Sequence, residues 1–323
     1  MTAIAQYVRH FFDTPVHVAI GAIYALLIVA SLISFTLRKL APGEAMTELS
    51  QRVTSWWWMI TVFTVAILTD RVISTIFLGF MSFLALKEYL SLVPTRRVDR
   101  PILLFAYLAI PVQFYLAHIG SFGLFMVFIP VWMFLFMPAI ITLFGQTDGF
   151  LRAVGTISWG LMITVFSLSH TAMLLTFGVK LGHAAGPLLF LVALTELNDV
   201  AQFTWGKLTG RHKIIPKVSP KKTWEGFIGG LVTTAAVAAF VGPYLTPMPM
   251  LWSAGAGAII ASTGFLGDVT ISACKRDLGV KDASDLIPGH GGILDRVDSL
   301  IYSAPVFYHL LHYFYGVWPA GIL

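Results

Sequence analysis

Charge is scarce in this chain. Asp, Glu, Lys and Arg make up 11% of its 323 residues, against about 25% in soluble domains. Hydrophobic residues reach 57%, and the mean hydropathy is +0.81. That scarcity excludes a soluble globular domain and leaves a polytopic integral membrane protein. Cysteine is nearly absent: Cys274 stands alone, which excludes an intramolecular disulfide and a thiolate metal cage. No internal repeat, heptad or low-complexity tract is present. The 21 Lys and Arg against 16 Asp and Glu give a formal net charge of +5, too few free cations for a nucleic-acid face. Basic loops lying on an anionic leaflet account for the excess.

Long apolar runs are abundant. Crossing a hydrocarbon core of about 30 Å takes about 20 apolar residues. Candidate spans fall at 17–37, 54–69, 72–92, 101–118, 122–144, 154–177, 187–205, 227–245, 250–267 and 299–318. The expected fold is therefore all-α, with nine or ten transmembrane helices and two polar cytoplasmic segments. Asp70 and Arg71 leave almost no loop between the second and third runs, so a single re-entrant hairpin also fits there. Trp56, Trp57 and Trp58 read as an interfacial aromatic belt. Arg9 and His10 precede the first run with no small-residue cleavage site after it, so that run is expected to be a span. Placing cation-rich loops inside gathers Arg38 and Lys39, Arg96 to Arg100, Arg152, Lys207 to Lys222 and the stretch 268–298 on one side, with both termini outside. Residues 1–186 read as a transmembrane scaffold and 187–323 as the catalytic region, because only the latter has long polar interruptions.

The first interruption runs from Asn198 and Asp199 through Lys207, Arg211 and Lys213 to Ser219, Pro220, Lys221, Lys222, Thr223, Trp224, Glu225 and Gly226. Ser219-Pro220 marks either a turn or a helix start, with Ser219 as N-cap and Pro220 at the first helical position. In the second case Lys221 and Lys222 sit on the first helical turn, where free N–H groups also favour anions. Such a loop holds phosphate oxygens or is simply a positive-inside anchor. Glu196 and Asp199 lie within an apolar span and need a partner or a wet cavity.

The second interruption is the focus of the chain. Residues 268–298 pack six carboxylates and four cations between two apolar runs. Asp268 ends one span. Asp295 and Asp298 open the next, three residues apart and so on one helical face. Carboxylates from two helices suit a hard divalent cation that also bridges phosphates. Lys275, Arg276, Lys281 and Arg296 are placed to neutralise an anionic substrate. Gly291 and Gly292 permit close backbone approach to a phosphate, and His290 either donates to a phosphate or caps the turn. Cys274 reads as packing. Together the two segments suggest metal-assisted phosphoryl or nucleotidyl transfer on a lipid.

Over the 27 residues from Ser272 to Asp298 the chain resembles the phosphatidate cytidylyltransferase (CDP-diacylglycerol synthase) family. That family's pattern is Ser-x-x-Lys-Arg, four residues, Lys-Asp, then Pro-x-His-Gly-Gly and Asp-Arg-x-Asp, and each position is filled here. Gly267-Asp268 and Ser219 to Gly226 are also similar to the family, whereas before residue 198 the resemblance is one of hydropathy alone. The family's Asp-Thr-Gly/Ala-Ala-Tyr followed by Gly-Arg is replaced by Asp199-Val200-Ala201-Gln202-Phe203 and Gly206-Lys207, which suggests a divergent subfamily.

The resemblance implies that CTP and phosphatidate, or a related lipid phosphate, give CDP-diacylglycerol and pyrophosphate with Mg²⁺, with or without a monovalent cation. It implies Asp268 and Asp298 as metal ligands, with Asp295 as a third. The catalytic set is then Asp268, Lys275, Arg276, Asp295, Arg296 and Asp298. Substrate contacts are expected from Asp199, Lys207, Ser219, Lys221, Lys222, Thr223, Glu225, Ser272, Lys281, Asp282, His290, Gly291 and Gly292. The expected location is a bacterial inner membrane with the site facing the cytoplasm, surrounded by membrane lipids, and a homodimer is left open. A CTP-dependent polyprenol kinase, a transporter and a non-catalytic CDP-lipid binder are the competing readings.

Overall fold

The computed structural model describes residues 15–40, 43–94, 100–143, 148–180, 182–183, 185–284 and 291–316. Among these the chain is all-α, a succession of ten helical rods: α1 Pro15–Leu40, α2 Glu44–Thr69, α3 Arg71–Leu92, α4 Arg100–Ile119, α5 Phe122–Leu143, α6 Phe150–Lys180, α7 Gly186–Thr209, α8 Trp224–Leu245, α9 Met250–Asp277 and α10 Leu294–Tyr315. Each coincides with one of the ten expected spans. Seven are long and apolar enough to cross a membrane, and the three that fall short are α2, α7 and α10. The last two carry Glu196, Asp199, Asp295, Arg296 and Asp298.

The one-residue junction between α2 and α3 is formed by a helix cap. Asp70 is extended, with φ −155° and ψ 152°, and its carboxylate accepts from the Val72 N–H at 2.8 Å. The helices on either side have 26 and 22 residues, about 39 and 33 Å at 1.5 Å per residue; α3 is also apolar enough to cross a membrane, whereas α2 is not. The tryptophan cluster divides its work. Trp58 is exposed, as a belt residue would be. Trp57 turns inward and donates to Ser31 Oγ at 2.9 Å, tying α2 to α1.

α6 is the buried centre of the bundle, with 78% of its apolar window covered against 17% for the peripheral α1. The four helices α7 to α10 pack extensively on one another. Their core includes Phe190, Ile260, Phe307 and Leu311, all at most 1% exposed. α9 runs ten residues beyond its expected end at 267. It thereby carries Ser272, Lys275 and Arg276 on helix, where a loop was expected.

Candidate active site

The site is organised by the crossing of α9 and α10. A Cβ added at Gly267 would strike the Asp298 carbonyl, so only glycine lets the two backbones approach this closely. That approach puts Asp268 and Asp298 at the same crossing. Since α9 continues past residue 268, Asp268, Ser272 and Lys275 share one face. Ser272 Oγ donates to Asp268 Oδ1 at 3.2 Å, and Lys275 Nζ donates to Asp295 Oδ1 of α10 at 2.5 Å.

The basic segment reaches this crossing through one lysine. α8 begins at Trp224 with Thr223 as its N-cap, whose hydroxyl accepts from the Gly226 N–H at 3.2 Å. Ser219 is therefore not a cap. It closes a turn in which its carbonyl accepts from the Lys222 N–H, so Lys221 and Lys222 precede the helix. Lys222 Nζ lies 2.7 Å from Asp268 Oδ2 and donates to Gln202 Oε1 at 3.2 Å. Burial alone disfavours its charge, but Asp268 and Asp199 outweigh that, with Asp298 adding to them, and hold the ammonium above the ordinary lysine value. Arg276 joins the two segments by donating to the carbonyls of Val218 and Val280, at 3.3 and 3.0 Å. Glu225 faces outward: it accepts from the Arg211 and His212 N–H groups and lies 2.6 Å from His212 Nδ1.

Between these elements lies a cavity of about 250 Å³. Its walls are Glu196 and Asp199 of α7, Lys222 of the basic segment, Asp268 and Lys275 of α9, Asp282, and Asp295, Arg296 and Asp298 of α10. Most of the catalytic set is thus brought together, with Asp199, Lys222 and Asp282 beside it. Arg276 and Ser272 do not line the cavity. Lys207, Lys221 and Lys281 are exposed and do not line the cavity. His290 lies outside the described residues.

Of the side chains lining the cavity, two have a buried polar atom without a partner. Asp199 Oδ2 accepts from Ser299 Oγ at 3.2 Å while its Oδ1 has none, and Arg296 Nε has none. Buried polar atoms are nearly always satisfied, so a carboxylate oxygen and a guanidinium N–H left open suit an incoming cation and an anion. Among the described residues no three of His, Cys, Asp or Glu close on one point. That donor set fits Mg²⁺ held by two carboxylates and completed by water and substrate phosphate. It does not fit an ion caged by protein alone.

Asp295 is differently employed. Besides Lys275, it accepts from the N–H groups of Ala283 and Gly292, at 2.8 and 2.9 Å. Gly291 has φ +76°, and a Cβ there would come within 2.7 Å of Asp295 Oδ2. What approaches this glycine backbone most closely is thus the protein's own carboxylate.

Glu88 is the residue that the sequence reading missed. It belongs to α3, 206 positions before Leu294, and is 7% exposed. Its carboxylate accepts from the N–H groups of Ile293 and Leu294, at 3.0 and 2.7 Å, and from Ser284 Oγ at 2.7 Å. α10 has no side-chain cap from its own N-cap residue; Glu88 supplies that function from another helix, and its negative charge suits a helix N-terminus. The available signal was an ionisable group at the end of an apolar run, which calls for a partner.

Residues 50–314 match the cytidylyltransferase family. The chain is 44% identical over 296 residues to the uncharacterized protein YnbB of Escherichia coli (strain K12), covering 91% of this chain and 98% of that one. It is 35% identical over 151 residues to a phosphatidate cytidylyltransferase of Mycobacterium leprae (strain TN), covering 46% and 48%. With a phosphatidate cytidylyltransferase of Haemophilus influenzae the identity is 43% over 139 residues, 41% and 46% of the two chains. The chain therefore spans about half the length of these phosphatidate cytidylyltransferases.

Proposed function

From the premise that the chain belongs to the cytidylyltransferase family, we propose that it transfers the cytidylyl group of CTP to phosphatidate or a closely related lipid phosphate. The lipid phosphate oxygen attacks the α-phosphorus of CTP. The bond from that phosphorus to the α–β bridging oxygen breaks, and pyrophosphate leaves with the electron pair. The observation that carries the reading is the cavity in which Asp268 and Asp298 converge with Lys222 and Arg296.

A lipid phosphate monoester is already an oxyanion and needs no strong general base. What it needs is charge relief and alignment. Arg296, with its open N–H, binds a phosphate oxygen. Lys222 holds Asp268 in place and adds positive charge beside the incoming polyphosphate. Asp268 and Asp298 are the residues that would hold Mg²⁺, with Asp199 beside them. When bound, the ion supplies Lewis-acid neutralisation of the triphosphate and the leaving pyrophosphate. Asp295 ties Ala283 and Gly292 to the start of α10. Residues 187–323 are the working half, in a bacterial inner membrane with the cavity on the cytoplasmic side, where CTP is available.

The experiment is turnover by detergent-purified protein supplied with CTP, Mg²⁺ and phosphatidate, with the lipid product read by mass and Asp298→Asn run in parallel. CDP-diacylglycerol from the parent, reduced roughly a thousandfold in the variant, is the expected result. Equal rates for parent and variant would remove Asp298 from the metal site. No CDP-lipid from any of a panel of lipid phosphates would overturn the proposed reaction.

A further inference from the structure

We propose that Glu88 is a positioning residue for the reaction, so that the N-terminal half takes part in building the active site. The inference rests on the function proposed above for its kinetic consequence, but not for its structural one. The segment that carries Asp282, Gly291 and Gly292 is gripped by two carboxylates. Asp295 takes the N–H groups of Ala283 and Gly292, and Glu88 takes Ser284 Oγ and the N–H groups of Ile293 and Leu294. The contacts alternate: 283 and 292 go to Asp295, 284 and 293–294 to Glu88. The two ends of the segment are thereby held together at adjacent positions.

The close fit supports the assignment. A Cβ at Gly292 would run into the Glu88 carboxylate, so the glycine leaves room for a group that arrives from α3. Glu88 is not itself at the reacting atoms, since it does not line the cavity. Its reach is through the first turn of α10. Fixing the N–H groups of Ile293 and Leu294 fixes where that turn begins, and Arg296 and Asp298 follow two and four residues after Leu294. Of the two carboxylates, Asp295 is compensated by Lys275. Glu88 is offset by N–H and O–H donors, including the positive end of a helix. An uncharged amide in its place keeps the volume and one acceptor oxygen but turns the other into a donor facing an N–H.

α3 also carries Tyr89, whose hydroxyl donates to the Thr156 carbonyl of α6 at 3.0 Å. The central helix thereby backs the rod that holds the clasp.

The test uses full-length protein in lipid nanodiscs and compares the parent with Glu88→Gln and Ser284→Ala, reading hydrogen exchange and kinetics. Exchange in peptides covering 283–298 should rise at least tenfold in Glu88→Gln, with peptides from α6 and α8 unchanged. The Mg²⁺ concentration for half-maximal rate should rise severalfold, a change that simple loss of folded protein does not produce. Ser284→Ala, which removes one of the three contacts to Glu88, should show a smaller change in the same direction. Unchanged exchange in 283–298 overturns the clasp whatever the reaction catalysed. Raised exchange with unaltered Mg²⁺ dependence overturns the positioning role and leaves the clasp structural. If Glu88→Gln loses protection everywhere, Ser284→Ala decides: an unchanged 283–298 peptide in that variant overturns the clasp. Should the parent make no CDP-lipid, the proposed reaction fails, and the exchange result still stands or falls alone.

Discussion

Lys221 and Lys222 are neighbours, yet Lys221 is exposed while Lys222 reaches inward to Asp268 and Gln202. Lys275 and Asp295 of the acidic segment, by contrast, are both buried, at 8% and 7% exposure. The basic segment is held by backbone turns, one cap and an outward-facing Glu225–His212 pair, and it presents a single side chain to the cavity. In the acidic segment, residues 283–284 and 292–294 are held by the carboxylates of Asp295 and Glu88. For the reaction proposed above, this asymmetry would let one wall meet the polyphosphate while the other keeps Arg296 and Asp298 in place.

The comparison breaks most severely at Lys222, the one inward contact of the basic wall. Lys222→Met leaves Asp268 without its counter-charge, and turnover should fall about a hundredfold, a cost of the size expected when one member of a buried charge pair is removed. Steady-state kinetics check this. A drop of less than threefold would mean that the basic wall contributes little beyond anchoring. The same pair sets a pH expectation. The folded-state value of Lys222 is raised, so its contribution is complete below the unfolded lysine value of about 10.4 and is lost only as pH rises through the folded value above it. The stability difference between parent and Lys222→Met from this term should therefore stay level from pH 7 to 9 and shrink only in strong alkali.

The fixed wall can be probed without touching a charge. Gly291 and Gly279 both have positive φ, +76° and +72°, but a Cβ at Gly291 meets Asp295 whereas at Gly279 nothing lies within 4 Å. Both alanine variants lose about 1–2 kcal/mol from backbone handedness. Gly291→Ala should lose more and should also lower turnover, as read by thermal unfolding in detergent and by rate. Equal losses at the two positions would show that the clamp around Asp295 yields freely. The smallest effect is expected at the outer edge: His212→Ala breaks an exposed pair and should change stability by less than about 1 kcal/mol. A larger loss would make the outer face of the basic segment as rigid as the acidic one.

Much of this arrangement was legible in the sequence. Hydropathy located the ten described helices, and the three-residue spacing of Asp295 and Asp298 placed both on the first turns of α10. One local reading left two outcomes open and another fell short. Ser219-Pro220 fits either a turn or a helix start, and the structure has the turn: Thr223 pairs with Lys213 in a bridge and is held extended, with φ −129° and ψ 155°. Helix growth is thereby deferred to Trp224. Hydropathy likewise ended α9 at the membrane surface, although polar residues at 268, 272 and 275 continue one helical face. Glu88 was out of reach for a different reason. No local pattern in α3 tells which of the distant backbone N–H groups a lone carboxylate will meet.

The most direct measurement follows the label from CTP carrying ³²P at either the α or the γ position, with phosphatidate as acceptor. Cytidylyl transfer at the Asp268–Asp298 cavity puts the α label in the lipid and the γ label in pyrophosphate. The γ label in the lipid, with CDP released, would contradict it and identify a lipid kinase built on the same helices.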